Sequence, residues 1–156
     1  MKSFLSVFII AIFCSIQQKN ICGSYRGAHK AIVLNKDSTF FYNSGVDMYV
    51  SWASGKWKCS NDTIYFEVIP IYDTIRIVGE KERVYRSTDR IANLFTNSED
   101  VYSAFAYQLE TLDRMFYKKD RLYEVDNKGK LIKKKEKHSW YRETNNPWFE
   151  KIIEKE

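Results

Sequence analysis

The 156-residue sequence is poor in several residue types: it has two prolines, six glycines, two histidines and three cysteines. With so few prolines and glycines against eleven tyrosines and ten phenylalanines, it is neither a disordered tail nor a low-complexity linker, since those compositions lack the apolar surface that offsets chain entropy. The glycines never gather into a Gly-rich loop before a helix, so the phosphate cradle of nucleotide enzymes is missing. His29 and His138 have no second ligand at metal-binding spacing, and no Gly-x-Ser-x-Gly elbow occurs. Both histidines therefore read as solvated or singly hydrogen-bonded. No catalytic residue, metal or cofactor is assigned.

Long apolar runs are also missing. The one apolar stretch, Phe4 to Phe13, follows Lys2 and ends before Gln17, Gln18, Lys19 and Asn20. Its length of about ten residues is half of the ~20 that a helix needs to cross a hydrocarbon core. The layout predicts a secretory signal peptide over residues 1–15, and hence a periplasmic, outer-membrane-anchored or secreted protein. No pair of small residues marks a cleavage site, so two routes stay open. One is ordinary cleavage. The other is lipoprotein processing at Cys14, which closes the apolar run although Phe13 stands where that peptidase prefers Gly, Ala or Ser.

Either route takes Cys14 out of the thiol count and leaves Cys22 and Cys59. Two remaining thiols in an exported chain suggest one disulfide. It would close a loop of roughly 37 residues, worth about 3 to 4 kcal/mol on the chain-entropy model. Two separate buried thiols are the alternative.

What the chain has in quantity is alternation at period two, the mark of a strand with one dry face. Met48, Val50 and Trp52 alternate with Asp47, Tyr49 and Ser51. Trp57 and Cys59 alternate with lysines, and Ile64, Phe66 and Val68 alternate with Thr63, Tyr65 and Glu67. Asn35-Lys36-Asp37-Ser38, Ser54-Gly55 and Ser60-Asn61-Asp62 read as turns between strands. Pro70 breaks the chain before Ile71 to Val78, where Ile71, Ile75 and Ile77 share a face with Asp73. A buried Asp73 would be a candidate general acid; the reading preferred here leaves it in water beside a re-aimed strand.

Val101, Phe105, Leu109 and Leu112 recur at helical spacing after a Thr96/Glu99 capping box, which predicts one helix near residues 97–112. Strands are expected again at Arg114 to Lys118, Arg121 to Val125 and Lys130 to Lys134, with a tight turn at Asp126-Asn127-Lys128-Gly129. The expected class is mainly β: an antiparallel meander closing into a small barrel, with a β-sandwich as the alternative. The β-domain is expected over residues 22–135 and an irregular or packed segment over 136–156. Trp52, Trp57, Phe66 and Ile64 are its expected interior, Trp57 as a core plug.

The run from Leu34 to Phe40, followed by Ser54-Gly55-Lys56-Trp57-Lys58 and Asn61-Asp62-Thr63-Ile64, resembles the small lipocalin-like barrels exported by many bacteria. Asp120 to Asp126 with Gly129-Lys130 resembles the hairpin that often closes them. The resemblance implies a fold and little chemistry, and most such proteins have no assigned activity. True lipocalins carry Gly-x-Trp on their first strand, whereas Gly55-Lys56-Trp57 follows several earlier strands, so no lipocalin ligand is transferred.

The formal net charge is +5, and nine Lys or Arg stand against four acids between Lys118 and Lys137. Lys133, Lys134, Lys135 and Lys137 form a possible patch for anionic lipid headgroups or a polyanionic sugar, with Trp140, Tyr141 and Trp148 near it. The plainer reading, preferred here, is lysines guarding a strand edge against mispairing. Nucleic acid is a poor partner for an exported chain. The expectation is a non-enzymatic exported barrel that interacts with an envelope component; the alternative is a carrier of a small apolar or amphipathic ligand.

Overall fold

Asn61 and Asp62 have φ of 50° and 59°, and Lys119 and Asp120 have φ of 51° and 56°. Two consecutive left-handed residues make the tight hairpin turn whose twist matches that of its flanking strands. A third turn, at residues 35–38, is held by the Asp37 carboxylate, which accepts bonds from the Thr39 backbone N–H at 3.0 Å and the Thr39 hydroxyl at 2.7 Å. These bonds hold the Asp37 carboxyl below its ordinary pKa. The three turns lie at one end of the molecule.

The structure, a computed structural model, describes residues 21–46, 49–97, 106–126, 128–133, 135–137 and 144–153. The strands are β1 (Gly23–Arg26), β2 (Lys30–Leu34), β3 (Thr39–Val46), β4 (Tyr49–Ser60), β5 (Thr63–Val68), β6 (Tyr72–Ile75), β7 (Arg83–Arg86), β8 (Leu94–Phe95), β9 (Ala106–Gln108), β10 (Met115–Lys118), β11 (Arg121–Glu124), β12 (Glu136–Lys137), β13 (Thr144–Asn145) and β14 (Trp148–Lys151). The order β3-β2-β1-β14-β11-β10-β5-β4 returns to β3 through the β3–β4 pairing, which closes an eight-stranded antiparallel barrel. Closure removes the open sheet edges at which other chains pair.

The ladders assign the interior. Tyr25 faces Ile32, Ile32 faces Tyr42 and Tyr42 faces Ala53; around the other side Cys59 faces Ile64, Ile64 faces Met115, and Leu122 faces Phe149. Nearly all of these join Leu34, Phe40, Trp57 and Ile21 in one buried cluster, with Cys59 partly buried against it. The barrel interior is therefore a packed core rather than an empty lumen. The Tyr25 hydroxyl donates to the Ile21 carbonyl, and the Trp57 indole donates to the Asn35 carbonyl at 3.1 Å, so both large polar rings are satisfied at the turn end.

The opposite end, the mouth, carries the long connections. Between β5 and β10 the chain builds a small sheet of order β7-β6-β8. It then runs as β9 parallel to the first part of β4. Gln108 secures this junction: its side chain accepts from the Ile71 N–H at 3.0 Å and donates to the Ile69 carbonyl at 3.2 Å.

Several expectations are corrected. Ser54-Gly55 is no turn but the middle of the twelve-residue β4. Glycine is required there because its φ is +157° and a Cβ would collide with the Glu67 carbonyl of β5. With no break, parity runs unchanged from Trp52 to Trp57 and puts them on opposite faces. Trp52 is therefore not in the barrel interior; it is buried on the outside, where its indole donates to the Thr88 carbonyl at 3.2 Å. Val50 shares that outer parity and is exposed.

The helix expected near 97–112 is not formed by the described residues of that range: Ala106–Gln108 is a strand and residues 109–112 are irregular; residues 98–105 lie outside the described residues. Leu109 and Leu112, whose spacing suggested a helix, pack against the barrel core instead. Among the described residues of the strand expected at 130–134, the pairing reduces to one bridge between Val125 and Leu131. Within the segment expected to be irregular or packed on the barrel, Trp148–Lys151 forms β14, which pairs with both β1 and β11 and completes the barrel. The disulfide expected between Cys22 and Cys59 is not found, and both residues are half-buried; an even thiol count carries no information on the Cα separation that a bridge needs.

Candidate functional site

At the mouth the inward positions turn polar. On β2 the inward series Leu34, Ile32 ends at Lys30, and on β11 Leu122 is followed inward by Glu124. The two meet: Lys30 Nζ donates to Glu124 Oε1 at 2.6 Å, both side chains being partly exposed. Tyr42 sits one layer deeper, and burial pushes its hydroxyl pKa up against the opposing pull of the Lys30 charge. A cleft of about 310 Å³ opens here, walled by Leu109, Leu112, Met115, Val125 and Ile132, with Lys30, Glu124, Asp113 and Arg114 as its charged groups. Its lining is mixed, polar and apolar in similar share, and the converging polar groups are of the kind that orient a small ligand. A second cleft of about 350 Å³ shares Leu112, Asp113, Arg114 and Val125 with the first and reaches Tyr65 and Phe66. Sequence reading missed Lys30 and Glu124, although a charged residue at an inward parity position was the available signal.

The outer face of β10, β11 and β14 carries a second arrangement. Phe116 lies opposite Tyr123 and Tyr123 opposite Trp148, so three half-buried aromatic rings form one row across three strands. The Tyr123 and Trp148 ring centroids are 5.9 Å apart, and the Arg121 guanidinium stands 5.3 Å from the Trp148 ring. The next row reads Lys118, Arg121, Glu150 and Arg26, with Arg121 paired to Glu150 at 3.0 Å.

Of the residues named from sequence, Trp57 and Ile64 are buried inside the barrel, and Phe66 is partly buried with its ring 4.9 Å from Phe40. Lys133 and Lys135 are exposed, and Lys137 lies in β12. Lys134, Cys14, His138, Trp140, Tyr141 and the leader lie outside the described residues. Asp73 is corrected: it is buried rather than solvated, and its carboxylate accepts from the Asn93 backbone N–H at 2.9 Å and the Asn93 side chain at 3.1 Å. These bonds tie β6 to the segment entering β8, which is a structural task. Among the described residues no group of three or more His, Cys, Asp or Glu is placed to hold a metal ion.

The chain matches no family model, no curated protein and no solved structure. What its own geometry defines is a class: a closed eight-stranded antiparallel barrel with a packed interior, a polar mouth and an aromatic and basic outer face.

Proposed function

We propose that this chain is an exported, non-catalytic barrel of the small lipocalin-like kind that works at the cell envelope through its outer surface. The observation that supports this reading best is the packed interior: Tyr25, Phe40, Trp57, Phe149 and their neighbours occupy the space in which a hollow barrel would carry a ligand. Export rests on the leader at residues 1–15. Titration of the mature protein with a fluorescent fatty-acid analogue tests the surface reading. No saturable binding is expected; a saturable site lost on Leu112→Trp would overturn it. Intact mass spectrometry of the protein from its native host tests export, where an unprocessed Met1 would defeat the proposal.

A second reading, carriage of a small amphipathic ligand, is favoured by the cleft of about 310 Å³ at the mouth. There Lys30 and Glu124 would hold a polar head while Leu109, Leu112 and Ile132 cover an apolar body. The same titration separates the two.

A further inference from the structure

Within the reading of a surface-acting barrel, we propose that the outer face of β10, β11, β14 and β1 binds an acidic polysaccharide, a chain of sugar rings bearing carboxylates. Two adjacent rows carry the argument. The aromatic row, Phe116, Tyr123 and Trp148, follows from parity: Met115, Leu122 and Phe149 point into the core, so their neighbours point out. Adjacent strands lie about 4.8 Å apart, so the row spans about 10 Å. The Tyr123 and Trp148 planes are inclined by 46° to each other, and a row of exposed aromatic surface of this kind suits the apolar faces of sugar rings, because an aromatic side chain offers a large rigid contact area at little entropic expense.

The second row, about 7 Å along the strands, places Lys118, Arg121 and Arg26 beside those rings with Glu150 as the only acid among them. Arg121 links the rows, with its guanidinium over the Trp148 ring at 5.3 Å from the centroid while it pairs with Glu150. A guanidinium presents a fork of donors that fits a carboxylate, and Glu150 can accept from sugar hydroxyls. On the other side of the aromatic row, in the segment after β11 at the mouth end, Lys128, Lys130, Lys133 and Lys135 are exposed as well. A neutral polysaccharide would leave these cations without a role, and a flat lipid surface would not need the rings and charges ordered in separate rows.

The test is isothermal titration of the mature full-length protein with polygalacturonate, with dextran as the neutral comparison. Polygalacturonate should bind, dextran should not, and binding should weaken as salt is raised. Trp148→Ala and Arg121→Ala should each weaken it roughly tenfold or more. Should Trp148→Ala disturb the fold, as seen by circular dichroism, the exposed Lys118→Glu keeps the question open to measurement, since charge reversal should also weaken binding. No binding, or binding indifferent to Arg121→Ala and Lys118→Glu, would overturn the inference. So would binding to anionic phospholipid vesicles in place of polygalacturonate. If polygalacturonate fails while the fatty-acid analogue also finds no site, only this inference falls; a saturable fatty-acid site at the mouth removes the surface reading itself.

Discussion

Lys30 on β2 and Glu124 on β11 lie 94 residues apart in sequence and meet at 2.6 Å across the barrel mouth. Their side chains keep 39% and 28% of their exposure, so water screens the pair and its contribution is modest. Lys30→Met or Glu124→Gln should lower stability by no more than about 1 kcal/mol, read from urea unfolding at low and high salt. A loss of several kcal/mol, insensitive to salt, would show that the pair sits in a drier mouth.

Trp57 and Trp52 share β4 and differ in consequence. Trp57→Ala opens a cavity in the barrel core and leaves the Asn35 carbonyl without its indole donor, which should cost about 3 to 5 kcal/mol. Trp52→Phe keeps most of the apolar contact but removes the donor to the Thr88 carbonyl, at about 1 kcal/mol. Its effect should be local, as faster hydrogen exchange of residues 71–95 with the barrel strands unchanged. Equal effects of the two substitutions on global unfolding would contradict the opposite-face assignment.

Asp73 holds Asn93 by two hydrogen bonds. Asp73→Ala strands the Asn93 backbone N–H and should cost about 1 to 3 kcal/mol, with new trypsin cleavage at Arg86 and Arg90 as the readout. Resistance to trypsin equal to that of the parent would argue against this anchoring role.

Alkaline pH should unfold the barrel. Burial, with the neighbouring Asp120 adding to it, pushes Tyr117 up to about 12; burial also raises Tyr25 and Tyr42. An unfolded tyrosine loses its proton near pH 10. Below that pH the folded and unfolded chains hold these protons alike and the stabilisation is complete. As pH rises from about 10 towards 12 the unfolded chain ionises first, and stability falls. Ultraviolet titration should show a group of tyrosines ionising only together with loss of structure; smooth titration of all of them near pH 10 in a folded protein would refute this.

Gly55 lies where β5 comes closest to β4, and Gly55→Ala should destabilise by more than about 1 kcal/mol because the new Cβ meets the Glu67 carbonyl. Thermal unfolding measures it directly; an unchanged midpoint would mean that the two strands can part without loss.

The strands from β2 to β5 and the pair β10 and β11 were legible because their side chains alternate and turn formers flank them, although the turn residues Ser54-Gly55 split β4 falsely in two. The candidate site was much less so. Glu124 read as one of four acids in a basic run, and Lys30 carried no signal of its own; only pairing across the mouth gives them a shared purpose. Trp148 was noticed for its ring. Its place in a row with Tyr123 and Phe116 depends on a register between segments about 25 and 32 residues apart, and composition says nothing of register.

Local chemistry determined the period-two strands, the left-handed turns at Asn61-Asp62 and Lys119-Asp120, and the barrel class, because backbone preference and alternation act over a few residues. Only the tertiary structure decided that β14 completes the barrel, that Trp52 faces outward and that residues 106–108 pair as a strand. Each of these is settled by partners distant in the chain: a strand edge open for pairing outweighs the helical spacing of four apolar residues, and a glycine at a close approach of two backbones is indistinguishable, in sequence, from a glycine in a turn.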